Sequence, residues 1–247
     1  MNNRNDWQPN KYIYKKGKLV ASRDRKQVGV ASRLIADIVA ELYEHNIRQY
    51  ARGKLLDLGC GNAPLYHAYR EHITENICVD WKNTLHKNIY LDFECDLAEV
   101  LPFSDGEFNT IILSDVLEHI FEPIKLWKEM SRILSINGKV LLNVPFYYWL
   151  HERPYDYYRY TEFALQRFVE ISGLRLIQLE PIGGAPEILA DICAKHFQFI
   201  PLIGNNLASA IQYITRLFIK TTLGQGISKK TGRAFPLGYF LIAEKAK

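Results

Sequence analysis

Short apolar runs alternate with amphipathic stretches along most of this 247-residue chain. Short, mostly apolar runs of four to six residues are typical of parallel strands that are buried on both faces. The alternation predicts an α/β protein with a Rossmann-like, mostly parallel, seven-stranded sheet and helices on both faces. The predicted strands are 55–58, 77–80, 89–93, 108–113, 139–144, 174–179 and 238–243, the last near an edge of the sheet.

Between these strands, apolar residues recur every three or four positions and predict helices that pack one face on the core. The predicted helices are 27–50, 65–72, 122–134 and 161–172. Asn137-Gly138 follows the third of them as a stop signal. The chain thus divides into an N-terminal basic arm with its packing helix (1–52), a core (53–182), and a C-terminal helical appendage with the last strand (183–247).

The first 25 residues carry many lysines and arginines but only two aspartates. This balance predicts a solvated arm. A lid, or a contact with an anionic substrate or a membrane, is the alternative.

A stretch near the C-terminus, residues 197–223, contains one apolar face at helical spacing. We expect this face to pack on the sheet or to cover an acceptor pocket. A homodimer contact and a helix on a membrane surface are the alternatives, and nearby basic residues support the second. The face consists of Leu207, Ala210, Ile211, Ile214, Leu217 and Phe218, and the basic residues are Lys220, Lys229, Lys230 and Arg233.

The strand 55–58 runs directly into the turn Gly59-Cys60-Gly61-Asn62, and Pro64 suits the first position of a helix. Glycine lets a backbone approach a ligand closely, and open α/β sheets hold nucleotide-type cofactors at such strand–turn–helix junctions. Asp80 ends the next strand about 20 residues after the first glycine, where an acidic residue holds a ribose.

Two cofactors use this arrangement, a dinucleotide and S-adenosylmethionine. The dinucleotide fingerprint requires a third glycine where this chain has Pro64. Asp57, just before the turn, would repel a pyrophosphate but suits the cationic end of S-adenosylmethionine. The pattern therefore favours S-adenosylmethionine.

Composition changes this picture little: the chain is 48% hydrophobic and 23% charged, and its net charge of +4 does not argue for nucleic acid. Four cysteines without Cys-x-x-Cys spacing predict reduced thiols, and no histidine pattern demands a metal. The sequence shows no signal segment and no apolar span of about 20 residues. We therefore expect a cytoplasmic protein, with peripheral attachment at the inner face of the membrane as an alternative.

Several short motifs follow one another in a fixed order between residues 53 and 180. They are Leu55 to Gly61, Val79-Asp80, Asp96-Leu97, Leu101 to Phe103, Leu117-Glu118-His119, Asn137-Gly138 and Leu141 to Phe146. Together they resemble class I S-adenosylmethionine-dependent methyltransferases of the methyltransferase type 11 kind. Ala63 replaces the usual third glycine of that family. The block 151–161 resembles a bacterial subgroup associated with surface polysaccharides and lipid-linked sugars.

The resemblance implies a cofactor site. The turn faces the methionine and ribose with Asp57 beneath it, Asp80 accepts hydrogen bonds from the ribose hydroxyls, and Asp96 meets the adenine. Trp81 is either an adenine contact or an ordinary rim aromatic, and His119 is either a site residue or a structural histidine. The implied cofactor-binding residues are Asp57, Gly59, Cys60, Gly61, Asn62, Asp80, Trp81, Asp96, Leu97, Ser114, Asp115 and His119.

The loop after the strand 139–144 concentrates groups suited to acceptor chemistry. His151 has the ordinary pKa nearest neutrality and is the first choice as general base. Arg153 or Arg159 is suited to binding a carboxylate or phosphate of the acceptor. The alternative is that Asp156 pairs with Arg159 and fixes the loop. The catalytic candidates are His151, Asp156, Tyr158 and Arg159.

The predicted function is methyl transfer from S-adenosylmethionine to oxygen or nitrogen of a small-molecule or lipid-linked glycan acceptor. One alternative is a non-catalytic S-adenosylmethionine-binding module or partner subunit. The other is an NAD-dependent oxidoreductase, which Pro64 argues against. Nucleic acid is disfavoured as acceptor because the sequence has no basic stripe interleaved with aromatic residues.

Overall fold

The computed structural model describes residues 1–82 and 89–246. Seven strands form one mixed, mostly parallel sheet, which confirms the predicted fold class, and two strands form a separate antiparallel hairpin. The strands are β1 (Tyr12–Lys15), β2 (Lys18–Ala21), β3 (Lys54–Leu58), β4 (Glu75–Asp80), β5 (Phe93–Glu94), β6 (Phe108–Ser114), β7 (Leu134–Pro145), β8 (Leu174–Ile182) and β9 (Gly238–Lys245). The helices are α1 (Arg33–Tyr50), α2 (Tyr66–Tyr69), α3 (Pro123–Ile133), α4 (Glu162–Ile171), α5 (Ala185–Phe197), α6 (Gly204–Phe218) and α7 (Thr222–Gly232).

Strand β3 lies at the centre of the sheet, whose order is β5-β4-β3-β6-β7-β9-β8. It pairs in parallel with β4 on one side and β6 on the other. Leu55, Leu56 and Leu58 are fully buried, as a mostly apolar run interrupted only by Asp57 predicts. The strand order reverses at β3, so its carboxyl end opens at a topological switch point, where such sheets bind ligands.

Helices α3 and α4 cover part of this sheet with large apolar side chains. Trp127 of α3 is fully buried and stacks on Phe168 of α4, with ring centroids 6.3 Å apart. Met130 and Ile133 continue the buried stripe of α3 at helical spacing. Burying a side chain of this size contributes about 1.5–3 kcal/mol, so this layer holds the ends of β6 and β7 firmly.

The chain forms two compact units. The first contains residues 1–9, 45–180 and 239–247, and the second contains residues 10–44 and 181–238. These units do not coincide with the three consecutive segments expected from the sequence, because the N-terminal and C-terminal segments each contribute to both. Among the described residues, no helix combines the length and the apolar character needed to cross a bilayer.

The solvated arm expected for residues 1–25 is wrong. In the first unit, Trp7 is only 7% exposed, and its indole N–H lies 3.2 Å from the carbonyl oxygen of Ala63. In the second unit, the hairpin β1–β2 buries Tyr12, Leu19 and Ala21. The basic residues are interspersed with aromatic and aliphatic ones, and the latter decide the structure because burying them is favourable.

Three expectations for the sheet are corrected. The predicted strand 89–93 is reduced to the two residues of β5. Asn137-Gly138 does not end α3 but lies within β7, where Asn137 has φ +62° and the pairing with β6 shifts in register. Strand β9 lies between β7 and β8 rather than at an edge, and its continuous run Phe240 to Ala243 is fully buried, as an interior strand requires.

Helix α6 in the second unit has the opposite orientation to the one expected. Its small and polar residues Gly204, Ala208 and Gln212 are buried. The Gln212 carboxamide accepts from the N–H of Leu34 at 2.7 Å and donates to a second backbone group. The predicted apolar face is therefore exposed, and Ile214 at 65% is an example. The expectation that this face packs inward is wrong. The opposite face of the helix is buried instead, because there the Gln212 carboxamide forms hydrogen bonds with backbone groups.

Candidate active site

The turn after β3 is built around Gly59, whose φ of +68° favours glycine. The N–H groups of Gly59 and Cys60 donate to the carbonyl oxygen of Val79 at 2.8 and 3.0 Å. A Cβ atom at position 59 would lie 2.5 Å from Cγ2 of Val116. The backbone of the turn therefore lies directly against the segment that follows β6, and no larger residue fits there.

Asp80 ties the turn to the end of β4. Its Oδ2 accepts from the N–H of Gly61 at 3.0 Å, and its Oδ1 accepts from the N–H of Trp81 at 2.8 Å. The residue is 7% exposed. These two bonds hold the carboxylate at the edge of the glycine turn.

Asp57 lies on β3 just before the turn and is 4% exposed. Burial and the nearby Asp80 raise the pKa of its carboxyl, the Tyr69 hydroxyl opposes them by donating to Oδ2 at 3.0 Å, and the net pKa is about 7. A buried carboxyl at its titration midpoint near neutral pH is poised to ionise beside a cation.

The remaining residues predicted around the cofactor lie at the same edge of the sheet. Asp96 is exposed and accepts from the N–H of Ala98 at 2.9 Å, whereas Leu97 is buried. Ser114 donates to the carboxamide oxygen of Asn143 at 2.9 Å, and the same carboxamide donates to Asp115 at 2.5 Å. Sequence reasoning missed Asn143, which links the ends of β6 and β7.

Trp7 is a second contact that sequence reasoning missed. Its indole N–H points to the carbonyl oxygens of Asn62 and Ala63, at 3.3 and 3.2 Å, and its ring packs edge-on against Tyr66, with centroids 5.2 Å apart. The N-terminal segment therefore braces the glycine turn from behind. The sequence could have indicated this contact, because a single tryptophan in an otherwise polar segment is often buried.

Trp81 connects the turn with the loop after β7. Its ring meets the ring of Tyr155 edge-on, with centroids 4.7 Å apart. The carbonyl oxygen of Tyr155 in turn lies 3.0 Å from Nδ1 of His119. The predicted cofactor residues and the predicted acceptor loop are thus brought together.

The acceptor loop places His151 beside Glu118 and His119. Oε1 of Glu118 lies 3.7 Å from Nε2 of His151 and 3.8 Å from Nε2 of His119, and the two imidazoles pack edge-on with centroids 4.8 Å apart. Glu118 is fully buried, and neither of its carboxyl oxygens has a hydrogen-bond partner among the described residues. Sequence reasoning gave Glu118 no role, although it immediately precedes His119 in a quoted motif.

Backbone hydrogen bonds fasten the loop to the turn that carries Glu118. The N–H groups of Tyr157 and Tyr158 donate to the carbonyl oxygen of Glu118 at 3.0 and 3.3 Å. The hydroxyl of Tyr160 donates to the carbonyl oxygen of Leu117 at 3.1 Å. The Tyr158 hydroxyl, a predicted catalytic group, donates to the carbonyl oxygen of Phe121 at 3.0 Å.

Asp156 and Arg159 form a two-pronged ion pair, at 2.5 and 2.8 Å, which is the alternative that the sequence left open. Although burial opposes it, this pairing lowers the pKa of Asp156 to about 2. Asp156 also accepts from the backbone N–H of His151 at 3.0 Å, and its Oδ2 lies 3.3 Å from Nδ1 of that ring. The pair therefore fixes the position of His151.

The cluster is electrostatically unusual. Burial raises the pKa of Glu118, partly offset by His151. Burial by itself lowers the pKa of His151, but the neighbouring carboxylates of Glu118, Asp156 and Glu152 outweigh it, so the net pKa is raised. A buried carboxylate beside two imidazoles is an arrangement found where protons or cations are handled.

The fold and the site together define a Rossmann-like enzyme that takes S-adenosylmethionine. Residues 26–179 match the sequence profile of a family described as a methyltransferase domain. The chain belongs to this family; it is an S-adenosylmethionine-dependent methyltransferase. The family favours methyl transfer over the oxidoreductase alternative.

Similar proteins agree with this assignment. The chain is 24% identical over 162 residues to a ubiquinone biosynthesis O-methyltransferase of Coxiella burnetii, covering 55% of this chain and 69% of that protein. Among solved structures, the YcgJ protein of Bacillus subtilis superposes with a TM-score of 0.53 at 17% identity, over 83% of this chain and 98% of that one. An S-adenosylmethionine-dependent methyltransferase of Archaeoglobus fulgidus gives 0.53 at 17% identity, over 83% and 94%. At these identities the solved structures support the fold.

Proposed function

We propose that the protein transfers the methyl group to a hydroxyl oxygen, and that the cluster of Glu118, His119 and His151 activates that hydroxyl. A neutral hydroxyl must lose its proton as it attacks, whereas many amines need no such help. The buried Glu118 carboxylate beside two imidazoles is the observation that carries this proposal, because a neutral hydroxyl attacks only as it loses its proton to a nearby base. The similarity to an O-methyltransferase supports the same atom.

For the cofactor we propose the residues at the carboxyl edge of β3 and β4. The glycine turn admits a ligand against its backbone, Asp80 receives the ribose hydroxyls, and Asp57 ionises beneath the methionine ammonium. His119 belongs to the acceptor cluster rather than to this group. The other residues in this proposal are Cys60, Asn62, Trp81, Asp96, Leu97, Ser114 and Asp115.

When bound, S-adenosylmethionine supplies a methyl carbon on a sulfonium, so a C–O bond forms as the C–S bond breaks and the electron pair stays on sulfur. The chain itself contributes position and proton management. His151 is the group predicted to take the hydroxyl proton, and the Asp156–Arg159 pair holds its ring toward Glu118. Asp156 and Arg159 therefore act as positioning residues.

Replacing His151 by glutamine is expected to lower kcat for methyl transfer to a hydroxyl acceptor by about 10²–10⁴-fold, the usual contribution of proton transfer. The affinity for S-adenosylmethionine is expected to stay within about twofold, because the ring contacts the acceptor loop and not the turn. Transfer of radiolabelled methyl to a panel of phenols, sugars and amines measures the first, and calorimetry measures the second. The exposed His72→Gln variant is the matched control. Methylation of amines only, with His151→Gln unimpaired, would contradict the proposal.

We further propose that the acceptor is carried by an anionic membrane, as a lipid-linked glycan is. The second unit exposes large apolar side chains on α5, α6 and α7 and in the segment between α5 and α6. Leu189 is 63% exposed, Leu202 is fully exposed and Leu223 is 67% exposed. Exposed apolar side chains that cluster on a surface mark interaction sites.

The charges around this apolar surface indicate what covers it. Residues 192–238 contain no aspartate or glutamate, and their exposed cations are Lys220, Lys229, Lys230 and Arg233. Lys195 is buried against Asp191, and Arg216 pairs with Asp37. Apolar side chains flanked by cations are typical of a surface that lies on anionic lipid. A symmetric homodimer would bring these like charges together, so a second copy fits less well.

Flotation with vesicles tests this proposal. We expect the protein to float with vesicles containing about 30% anionic lipid and to remain unbound with neutral vesicles. Each surface cation is expected to contribute about 1 kcal/mol to the free energy of binding to anionic lipid. Ile214→Gln together with Leu217→Gln is expected to weaken binding at least tenfold. Phe163→Gln in α4, equally exposed at 71%, is the control. A wild-type protein that never floats, or that is a dimer which Ile214→Gln dissociates, would contradict a lipid-binding surface.

A further inference from the structure

We propose that Glu118, His119 and His151 form a binding site for a divalent cation of the Zn²⁺ type. The ligand atoms of the three side chains all lie within 4.8 Å of one another. Two imidazole nitrogens and one carboxylate oxygen are the donor set of many catalytic zinc centres, which leave a further position open. The inference rests on the proposed function only for the cation's role, not for its binding.

The buried carboxylate of Glu118 is the first argument. The side chain is fully buried, and both of its oxygens, together with Nε2 of His119, have no hydrogen-bond partner among the described residues. Burying polar groups without partners is costly, and proteins rarely leave three such atoms on two neighbouring side chains. A cation bound between Glu118 and His119 would give both side chains a partner.

The second argument is the orientation of the two imidazoles. Nδ1 of His119 faces the carbonyl oxygen of Tyr155 at 3.0 Å, and Nδ1 of His151 lies 3.3 Å from the carboxylate of Asp156 without a hydrogen bond to it. Histidines that bind metals nearly always direct one ring nitrogen to a carbonyl or carboxylate, which leaves the other as a lone-pair donor. Here both Nε2 atoms turn toward Glu118.

The ligand atoms of Glu118, His119 and His151 need to move only slightly closer together to bind one zinc ion. Oε1 of Glu118 lies 3.8 and 3.7 Å from the two Nε2 atoms. Ligands about 2.0–2.1 Å from a tetrahedral zinc ion lie roughly 3.4 Å apart, so side-chain rotations are enough. Glu152, whose Oε2 lies 3.9 Å from Nε2 of His119, is half-exposed and is placed to supply a fourth ligand or to pass a proton to water.

The cation explains how the cluster activates a hydroxyl. With Nε2 of His151 bound to the cation, this ring is a ligand and no longer the proton acceptor that it is in the cation-free protein. The acceptor oxygen occupies the open position, and its O–H bond is weakened by the adjacent positive charge. The proton leaves through Glu152 to solvent, the oxygen keeps the electron pair, and that pair forms the new bond to the methyl carbon. The cation itself undergoes no redox change.

Metal binding is tested on the full chain after treatment with a chelator. Equilibrium dialysis with Zn²⁺ is expected to show one equivalent bound, and Co²⁺ is expected to give the visible absorption of a low-coordinate site. Glu118→Gln and His119→Gln are each expected to weaken binding by at least about 100-fold, more than losing an outer partner does. The exposed pair Glu122→Gln and His72→Gln is the matched control. Because Glu118→Gln introduces a buried amide, His151→Gln serves as a second variant at a less buried position.

The outcomes separate this inference from the proposed function. Stoichiometric binding that disappears in the variants supports the site, whether or not a hydroxyl is methylated. No binding of Zn²⁺, Co²⁺ or Mn²⁺ by the folded chain, or unchanged binding in Glu118→Gln, overturns it. Full hydroxyl methylation by chelator-treated protein would also overturn the cation's role while leaving His151 as the base.

Discussion

Gly59→Ala is expected to abolish binding of S-adenosylmethionine. The new methyl group would lie 2.5 Å from Cγ2 and 2.8 Å from Cγ1 of Val116, in a backbone conformation with φ +68°. Strain and overpacking together are expected to cost about 2–5 kcal/mol. The turn must move to accommodate the methyl group, and the backbone that the cofactor approaches moves with it. Calorimetry measures the affinity, and urea unfolding measures the stability.

Two variants make this prediction specific. Gly173→Ala has nearly the same backbone strain, with φ +70°, but its new methyl group meets nothing within 4 Å. It is expected to cost only about 1–2 kcal/mol and to leave cofactor binding intact. Adding Val116→Ala to Gly59→Ala removes both clashing atoms and is expected to restore much of the affinity. Normal binding by Gly59→Ala alone would show that the turn is not the cofactor site.

The central strands were predictable because the apolar residues along each strand indicate that it is buried. Residues such as Leu55, Ile111 and Leu141 belong to short, mostly apolar runs, which are typical of strands covered on both faces. The position of β9 inside the sheet was not predictable. Its apolar run indicates a strand that is covered on both faces. The run does not indicate which strands pair with β9, because these partners are far away in the sequence.

Helix α6 shows what periodicity leaves open. The spacing of Leu207, Ile214 and Leu217 correctly defines one face of a helix, but it does not say which face finds a partner. The choice was made by Gln212, whose carboxamide satisfies backbone groups near the start of α1. Leaving those groups unpaired in a buried position would cost more than exposing aliphatic side chains.

The acceptor cluster was only half predictable. His151 and the pairing of Asp156 with Arg159 follow from residue types close together in the chain. Glu118 is 33 positions from His151, and backbone hydrogen bonds from Tyr157 and Tyr158 bring the two together. Such bonds carry no signature in the side-chain pattern, because every residue except proline has the same N–H group.

Asp57→Asn is expected to weaken S-adenosylmethionine binding about 10–100-fold and yet to stabilise the folded protein. The amide keeps an acceptor for the Tyr69 hydroxyl but removes the charge that we propose pairs with the methionine ammonium. In the wild type, folding raises the pKa of this carboxyl from 3.8 to about 7. Above pH 7 the folded state must therefore hold an ionised, buried carboxylate.

The pH dependence of stability is the decisive measurement. An acid whose pKa rises on folding destabilises the fold progressively from pH 3.8 up to its folded value, and the full cost applies above it. Asp57→Asn is thus expected to raise the free energy of unfolding by about 4 kcal/mol at pH 8 and by about 1.5 kcal/mol at pH 5, and to leave it unchanged below pH 3.8. Urea unfolding of the cofactor-free protein measures it, with the exposed Glu71→Gln as control. If the difference in the free energy of unfolding between Asp57→Asn and the wild type does not grow with pH, Asp57 titrates in its ordinary range. Its buried charge would then not destabilise the fold, and the proposed link to the charge of the cofactor would fail.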